Sequence, residues 1–198
     1  MIGTERLQAF TDGVLAIIIT VMVLELTVPH RVDLAALRPL LPVLLSYALS
    51  FVYVGIYWNN HHHMLYVTER VSGAILWANL HLLFWLSLFP FTNAWMAENG
   101  FAPVPTAVYG GVLFMAAIAW WILQRAILAG QPPNSLLEAA VKRSFKEKIS
   151  PVLYIAAIWL AFVQPWIASA IYVLVALIWI VPDRRIERAL AGRERSTE

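Results

Sequence analysis

Apolar residues run through this chain in long blocks separated by short polar gaps. A helix that crosses the bilayer core takes about 20 mainly apolar residues. Six blocks approach or exceed that length, at 8–28, 36–60, 73–97, 104–128, 150–165 and 166–182. The last two belong to one apolar run that begins at Ser150-Pro151, too long for a single membrane helix. Pro165 has no backbone donor and is the expected break, which turns the run into a hairpin of two short helices. The pattern predicts an all-α integral membrane protein with six transmembrane helices in a single domain over residues 1–198.

Two polar segments interrupt this picture. SLLEAAVKRSFKEKI, residues 135–149, is amphipathic and basic. It predicts a linker helix lying on the membrane surface, with Lys142, Arg143, Lys146 and Lys148 toward lipid headgroups or water. That charge suits lipid, and no nucleic-acid partner is expected. Residues 184–198 form a polar tail.

Composition agrees with the blocks. The chain is 61% hydrophobic and 13% charged, against about a quarter charged in soluble domains. It has no cysteine, which excludes disulfides and thiolate metal sites. The N-terminus lacks the basic region and small-residue cleavage site of a secretory signal, so the first span is expected to stay in the mature protein. Lys and Arg accumulate in cytoplasmic loops. With both termini cytoplasmic, the inner side holds twelve basic residues: Arg6, Arg70, Arg125, Lys142, Arg143, Lys146, Lys148, Arg184, Arg185, Arg188, Arg193 and Arg195. The outer side holds only Arg31 and Arg38. An odd number of spans would move the tail or the basic linker outside. The tryptophans lie mostly toward span ends, where amphipathic rings favour the interface.

The polar residues inside the spans are the candidate chemistry. At about 100° per residue, Ile17, Val21 and Leu24 fall within one narrow sector of the first helix, and Thr20 borders it. Gly13, Phe10 and Arg6 extend that stripe toward the cytoplasm, while Thr11 and Asp12 point to the helix's other side. An ionisable residue within a span turns toward protein or water, because lipid cannot solvate it. Candidate partners for Asp12 are Trp58, Asn59, Asn60, His61, His62 and His63 in YWNNHHHM, together with Asn79 and His81 in the third span. These groups share the cytoplasmic half with Asp12 and can form one hydrogen-bond network, with Arg6 screening the carboxylate. Two readings stay open: the network locks three helices together, or His protonation gates function. A metal site is not expected, since adjacent histidines fan around a helix and ligands need i, i+3 or i+4 spacing. YVGIYW, residues 53–58, differs from the TVGYG filter of ordinary potassium channels. Trp58 replaces its second glycine and the stretch lies in a continuous helix, so Gly55 is expected to be a packing residue.

Arg6, Phe10, Thr11 and Asp12 spell R-x-x-x-F-[ST]-D at the head of the first span. The chain thereby resembles prokaryotic members of the transmembrane protein 175 family, related to a lysosomal potassium channel. The likeness continues through GVLAIIITVMVLEL-x-VP, then Trp58, His61 and His62, Asn79 and the Pro90-Phe91 pair. Thr11 stands where serine is commoner, and the hydroxyl survives. The resemblance implies a homotetramer of six-helix subunits in the prokaryotic plasma membrane, with first helices lining one central pore. Carried across, Ile17 matches the family's narrow isoleucine constriction, with Thr20, Val21 and Leu24 beside and above it. Arg6, Phe10, Thr11, Asp12, Trp58, His61, His62 and Asn79 would anchor the pore helix.

The expected function is a potassium-permeable cation channel with a hydrophobic gate, no TVGYG filter and no cofactor beyond its permeant ions. The alternative is a proton- or solute-coupled transporter, which needs ionisable residues near the midplane and discontinuous helices. Here the ionisable groups cluster toward one side. An enzyme would need a nucleophile–base pair or metal ligands at helical spacing, and the chain offers neither.

Overall fold

The computed structural model describes residues 3–30, 32–66, 68, 71–130 and 145–180. Among these, seven α-helices and one 3-10 helix account for nearly all of the chain. They are α1 (Thr4–Leu24), the 3-10 helix Leu34–Leu40, α2 (Leu41–Tyr66), α3 (Gly73–Ser87), α4 (Phe89–Glu98), α5 (Pro103–Leu128), α6 (Phe145–Val163) and α7 (Pro165–Ile180). α3 and α4 together make one span, so the helices form six transmembrane segments. Four segments, Thr4–Leu24, Leu34–Tyr66, Gly73–Glu98 and Pro103–Leu128, are long and apolar enough to cross on length and composition alone. α6 and α7 complete the set as the hairpin, with Gln164 between them and Pro165 as the first residue of α7.

The boundaries shift for identifiable reasons. α1 begins at Thr4 because Gly3 caps it through its own carbonyl, which accepts from Arg6 and Leu7 N–H. α2 continues six residues past the expected end at 60, so the whole of YWNNHHHM is helical. The third span is broken at Leu88. Pro90 has no N–H to continue the helix, and the Thr92 hydroxyl donates to the Leu88 carbonyl at 3.0 Å. α6 starts at Phe145, so the last residues of the expected surface linker are its first turn. The rest of that linker, and the tail 184–198, lie outside the described residues.

The turn from α4 to α5 carries the chain's two left-handed residues, Gly100 (φ 58°) and Phe101 (φ 60°). Glycine takes that conformation freely. Phe101 is held there by its backbone N–H on the Met96 carbonyl and by its ring against Trp166.

The core lies where α5 packs on α6 and α3. Ala116, Ala119, Ala157 and Ala161 are fully buried, and small side chains let membrane helices approach closely. Polar groups stitch the interior. Tyr53 donates to the Tyr172 carbonyl at 2.6 Å, Tyr172 to the Thr106 carbonyl at 3.1 Å, and Ser50 to Asn93 Oδ1 at 2.9 Å. Gly110 is required by this packing, since a Cβ there would collide with the Tyr172 hydroxyl. Gly55 is not: a Cβ built on it meets nothing within 4 Å, which corrects its assignment as a packing residue of the chain.

Candidate functional site

α1 carries the site, and its two sides differ sharply. Leu7, Thr11, Leu15, Ile18 and Met22 are buried against α2, α3 and α4. The opposite sector stays open: Ile17 is 62% exposed, Val21 38% and Leu24 80%. Thr20 is exposed as well, and its hydroxyl bonds back to the Ile17 carbonyl at 2.9 Å. With its hydroxyl satisfied by the helix itself, Thr20 can turn its methyl outward.

The buried side is pinned by a directed chain of hydrogen bonds across three helices. Asn79 of α3, fully buried, donates through Nδ2 to Thr11 Oγ1 at 3.0 Å. The Thr11 hydroxyl in turn donates to the Leu7 carbonyl at 3.0 Å. Asn79 Oδ1 is left as acceptor and meets His61 Nε2 of α2 at 2.7 Å. The polarity of this chain places the His61 proton on Nε2. His61 is 2% exposed and Thr11 1%.

Asp12 occupies a separate, outer position. Its carboxylate accepts from Trp58 Nε1 at 3.0 Å, and the Trp58 ring stacks on His62, centroids 6.2 Å apart. His62 Nδ1 lies 2.6 Å from Gln8 Nε2. The expected network is therefore two clusters, one buried and one half-exposed.

Three expected participants are elsewhere. Arg6 is exposed and forms no ion pair with Asp12 among the described residues; six residues apart on a helix, the two project about 120° from each other. Phe10 is 52% exposed on the Ile17 side, away from the buried chain. His81 accepts from Trp85 Nε1 at 2.9 Å within α3. Gln8 is the participant that sequence reasoning missed. Its signal was available, since Gln8 and Asp12 stand four residues apart and so share a helix face. No group of three or more His, Cys, Asp or Glu side chains converges as a metal site among the described residues.

Beside the open sector, a groove of about 660 Å³ separates α1 from α4, lined in part by Ile17, Ile18, Val21, Phe91 and Trp95. Glu25 and Glu98 stand at its far end.

Known proteins share this arrangement. Residues 6–90 match the family described as Endosomal/lysosomal potassium channel TMEM175. A potassium channel of Chryseobacterium sp. (strain P1-3) is 54% identical over 185 residues, which cover 93% of this chain and 96% of that protein. A potassium channel of Chamaesiphon minutus (strain ATCC 27169 / PCC 6605) is 30% identical, over 88% of this chain and 92% of its own length. The crystal structure of a lysosomal potassium-selective channel TMEM175 homolog from Chamaesiphon minutus matches with a TM-score of 0.77 at 29% identity, covering 90% of this chain and 96% of that one.

Proposed function

We propose, from the premise that this chain belongs to the TMEM175 family of potassium channels, that four copies surround one pore lined by the open sector of α1. The chain is a channel and not a solute-coupled transporter. Its permeant ion is potassium, and its lateral partners are copies of itself and membrane lipid.

The observation that carries the pore assignment is the contrast between adjacent isoleucines. Ile18 is 4% exposed and Ile17 62%, so the chain's own packing turns the stripe of Ile17, Thr20, Val21 and Leu24 outward. Four Ile17 side chains around an axis make a branched apolar ring. Such a ring gives a cation nothing to replace its water shell, and a narrow one gates by expelling water. Selectivity then follows dehydration cost, which favours potassium over the more tightly hydrated sodium.

The buried chain of Thr11, Asn79 and His61 holds α1 in rotational register for this role, and Asp12 with Trp58 braces its flank. The geometry favours an anchor over a protonation switch. A second proton on His61 goes to Nδ1 and leaves the Nε2 bond to Asn79 in place.

In the cell the protein sits in the prokaryotic plasma membrane with both termini cytoplasmic, as the twelve-to-two division of Lys and Arg requires. The test uses the absence of native cysteine. In planar bilayers with potassium on one side and sodium on the other, a cationic thiol reagent should cut the current of Ile17→Cys and spare that of Ile18→Cys. An Ile17→Cys current untouched by the reagent would mean that this face meets lipid.

A further inference from the structure

The open stripe of α1 has a different surface on each flank. On one flank lies the groove between α1 and α4, with Val14, Ile18 and Val21 on the α1 side and Phe91 and Trp95 on the other. The Phe91 and Trp95 rings stack, centroids 6.0 Å apart. Exposed aromatics continue down α3 at seven-residue spacing, through Phe84 to Trp77. This flank is hollow beside α1 and bulky along α3 and α4.

The other flank is small. α1 shows Ala9, Gly13 and Ala16, and the neighbouring exposed face of α2 shows Ala48 and Gly55. Glycine weakens a helix interior relative to alanine. A Cβ at Gly13 or Gly55 nevertheless meets nothing within 4 Å, so the chain's own packing does not demand either glycine. Lipid tails do not demand them either, because fluid chains fill in around any side chain. Small residues at such positions let a second protein backbone come close.

Charge divides in the same way at the end where α1 stops and α2 starts. Glu25 and Glu98 line the groove on the first flank. On the second flank, Arg38 is exposed on the 3-10 helix that leads into α2. None of the three forms an ion pair among the described residues.

A closed ring of identical subunits built around α1 must join unlike flanks, head to tail. We propose that the α1–α4 groove seats a second copy of this chain, which presents the α1–α2 edge bearing Gly13, Ala48 and Gly55. Arg38 of the neighbouring copy then faces Glu25 and Glu98. This interface rests on the four-fold pore reading, and it adds what that reading lacks: which surfaces meet, and in which direction the ring runs.

Two variants and a cross-link test it on the full chain. Gly55→Leu places bulk where this subunit has open space, so helix content by circular dichroism should match wild type. Native mass spectrometry in detergent should then show the tetramer lost in favour of monomer. Gly111→Leu, the same change at another open glycine on α5, should leave the assembly intact. Arg38→Cys combined with Glu98→Cys, the only thiols present, should give a ladder up to four subunits with a flexible bismaleimide. Glu98→Cys combined with Trp159→Cys, on the exposed side of α6, should give none. A conducting wild-type protein that is monomeric in lipid overturns the four-fold reading itself. A conducting tetramer without the Arg38–Glu98 ladder overturns the interface alone, whatever Gly55→Leu does, and lipid retained in the groove would then identify its occupant.

Discussion

Asn79→Ala should be the most damaging single change in the polar cluster, ahead of any change at Asp12. Asn79 is fully buried and joins three helices through one amide. Alanine removes the donor to Thr11 and the acceptor for His61 together. Interhelical hydrogen bonds in membranes are worth about 0.6 kcal/mol on average and about 1.7 at most, which sets the loss at Thr11. Thr11 keeps its own bond to Leu7, so it is not stranded. His61 is: its Nε2 proton has no other acceptor in the buried chain, and leaving a buried donor unmet costs about 1–3 kcal/mol. The two losses together come to about 2–4 kcal/mol.

Asp12→Ala removes one bond, from an indole that is 48% exposed. Trp58 can turn its N–H to water or a headgroup, so the cost should stay below about 1 kcal/mol. Reversible unfolding by SDS in mixed micelles, followed by circular dichroism, measures both variants on one scale. Replacing both partners by apolar residues, His61→Leu with Asn79→Leu, should recover part of the loss, because no polar group is then stranded. If Asp12→Ala costs as much as Asn79→Ala, the division into a buried chain and an outer brace is wrong.

Ile17→Asn should wet the constriction, raising single-channel conductance severalfold and lowering potassium selectivity, with Leu24→Asn acting in the same direction more weakly; conductance and reversal potentials in one lipid decide. Ile18→Asn buries an unpartnered amide instead and should cost about 1–3 kcal/mol of stability in the SDS titration. Gly110→Ala drives a methyl into the Tyr172 hydroxyl and should destabilise by about 1–3 kcal/mol in the same assay. Cysteines at Asn99 and Arg31 should label from outside intact cells, and those at Ser135 and Ser196 only after lysis; labelling of Ser196 from outside would invert the topology.

The six segments were legible because a bilayer imposes a minimum apolar length, and that constraint acts on composition alone. Their ends were less legible. YWNNHHHM looks like the close of a span because hydropathy scores each polar residue as exposed. In the folded chain His61 is buried against Asn79, and the helix runs on to Tyr66. The break at Leu88 had its cause in plain view at Pro90, but the apolar run hides a kink that costs no polar residue. Arg6 and Phe10 were grouped with Asp12 because they adjoin it in sequence. Position around the helix separates them: one lies beside the stripe, the other within it, and neither reaches the buried chain.

The stripe itself poses the sharper question of phase. Ile17, Ile18 and Ile19 have identical hydropathy, so no apolar pattern says which of them faces out. Thr11 supplies the missing information. Seven and eleven residues on from Thr11, close to whole numbers of turns, come Ile18 and Met22, and both are buried beside it. Once the Thr11 hydroxyl is committed to Asn79, Ile17 has no freedom to turn inward. The polar head of α1 thus sets the rotation of an apolar helix that could not set its own. The stripe that can line a pore is the sector left open by that one buried amide.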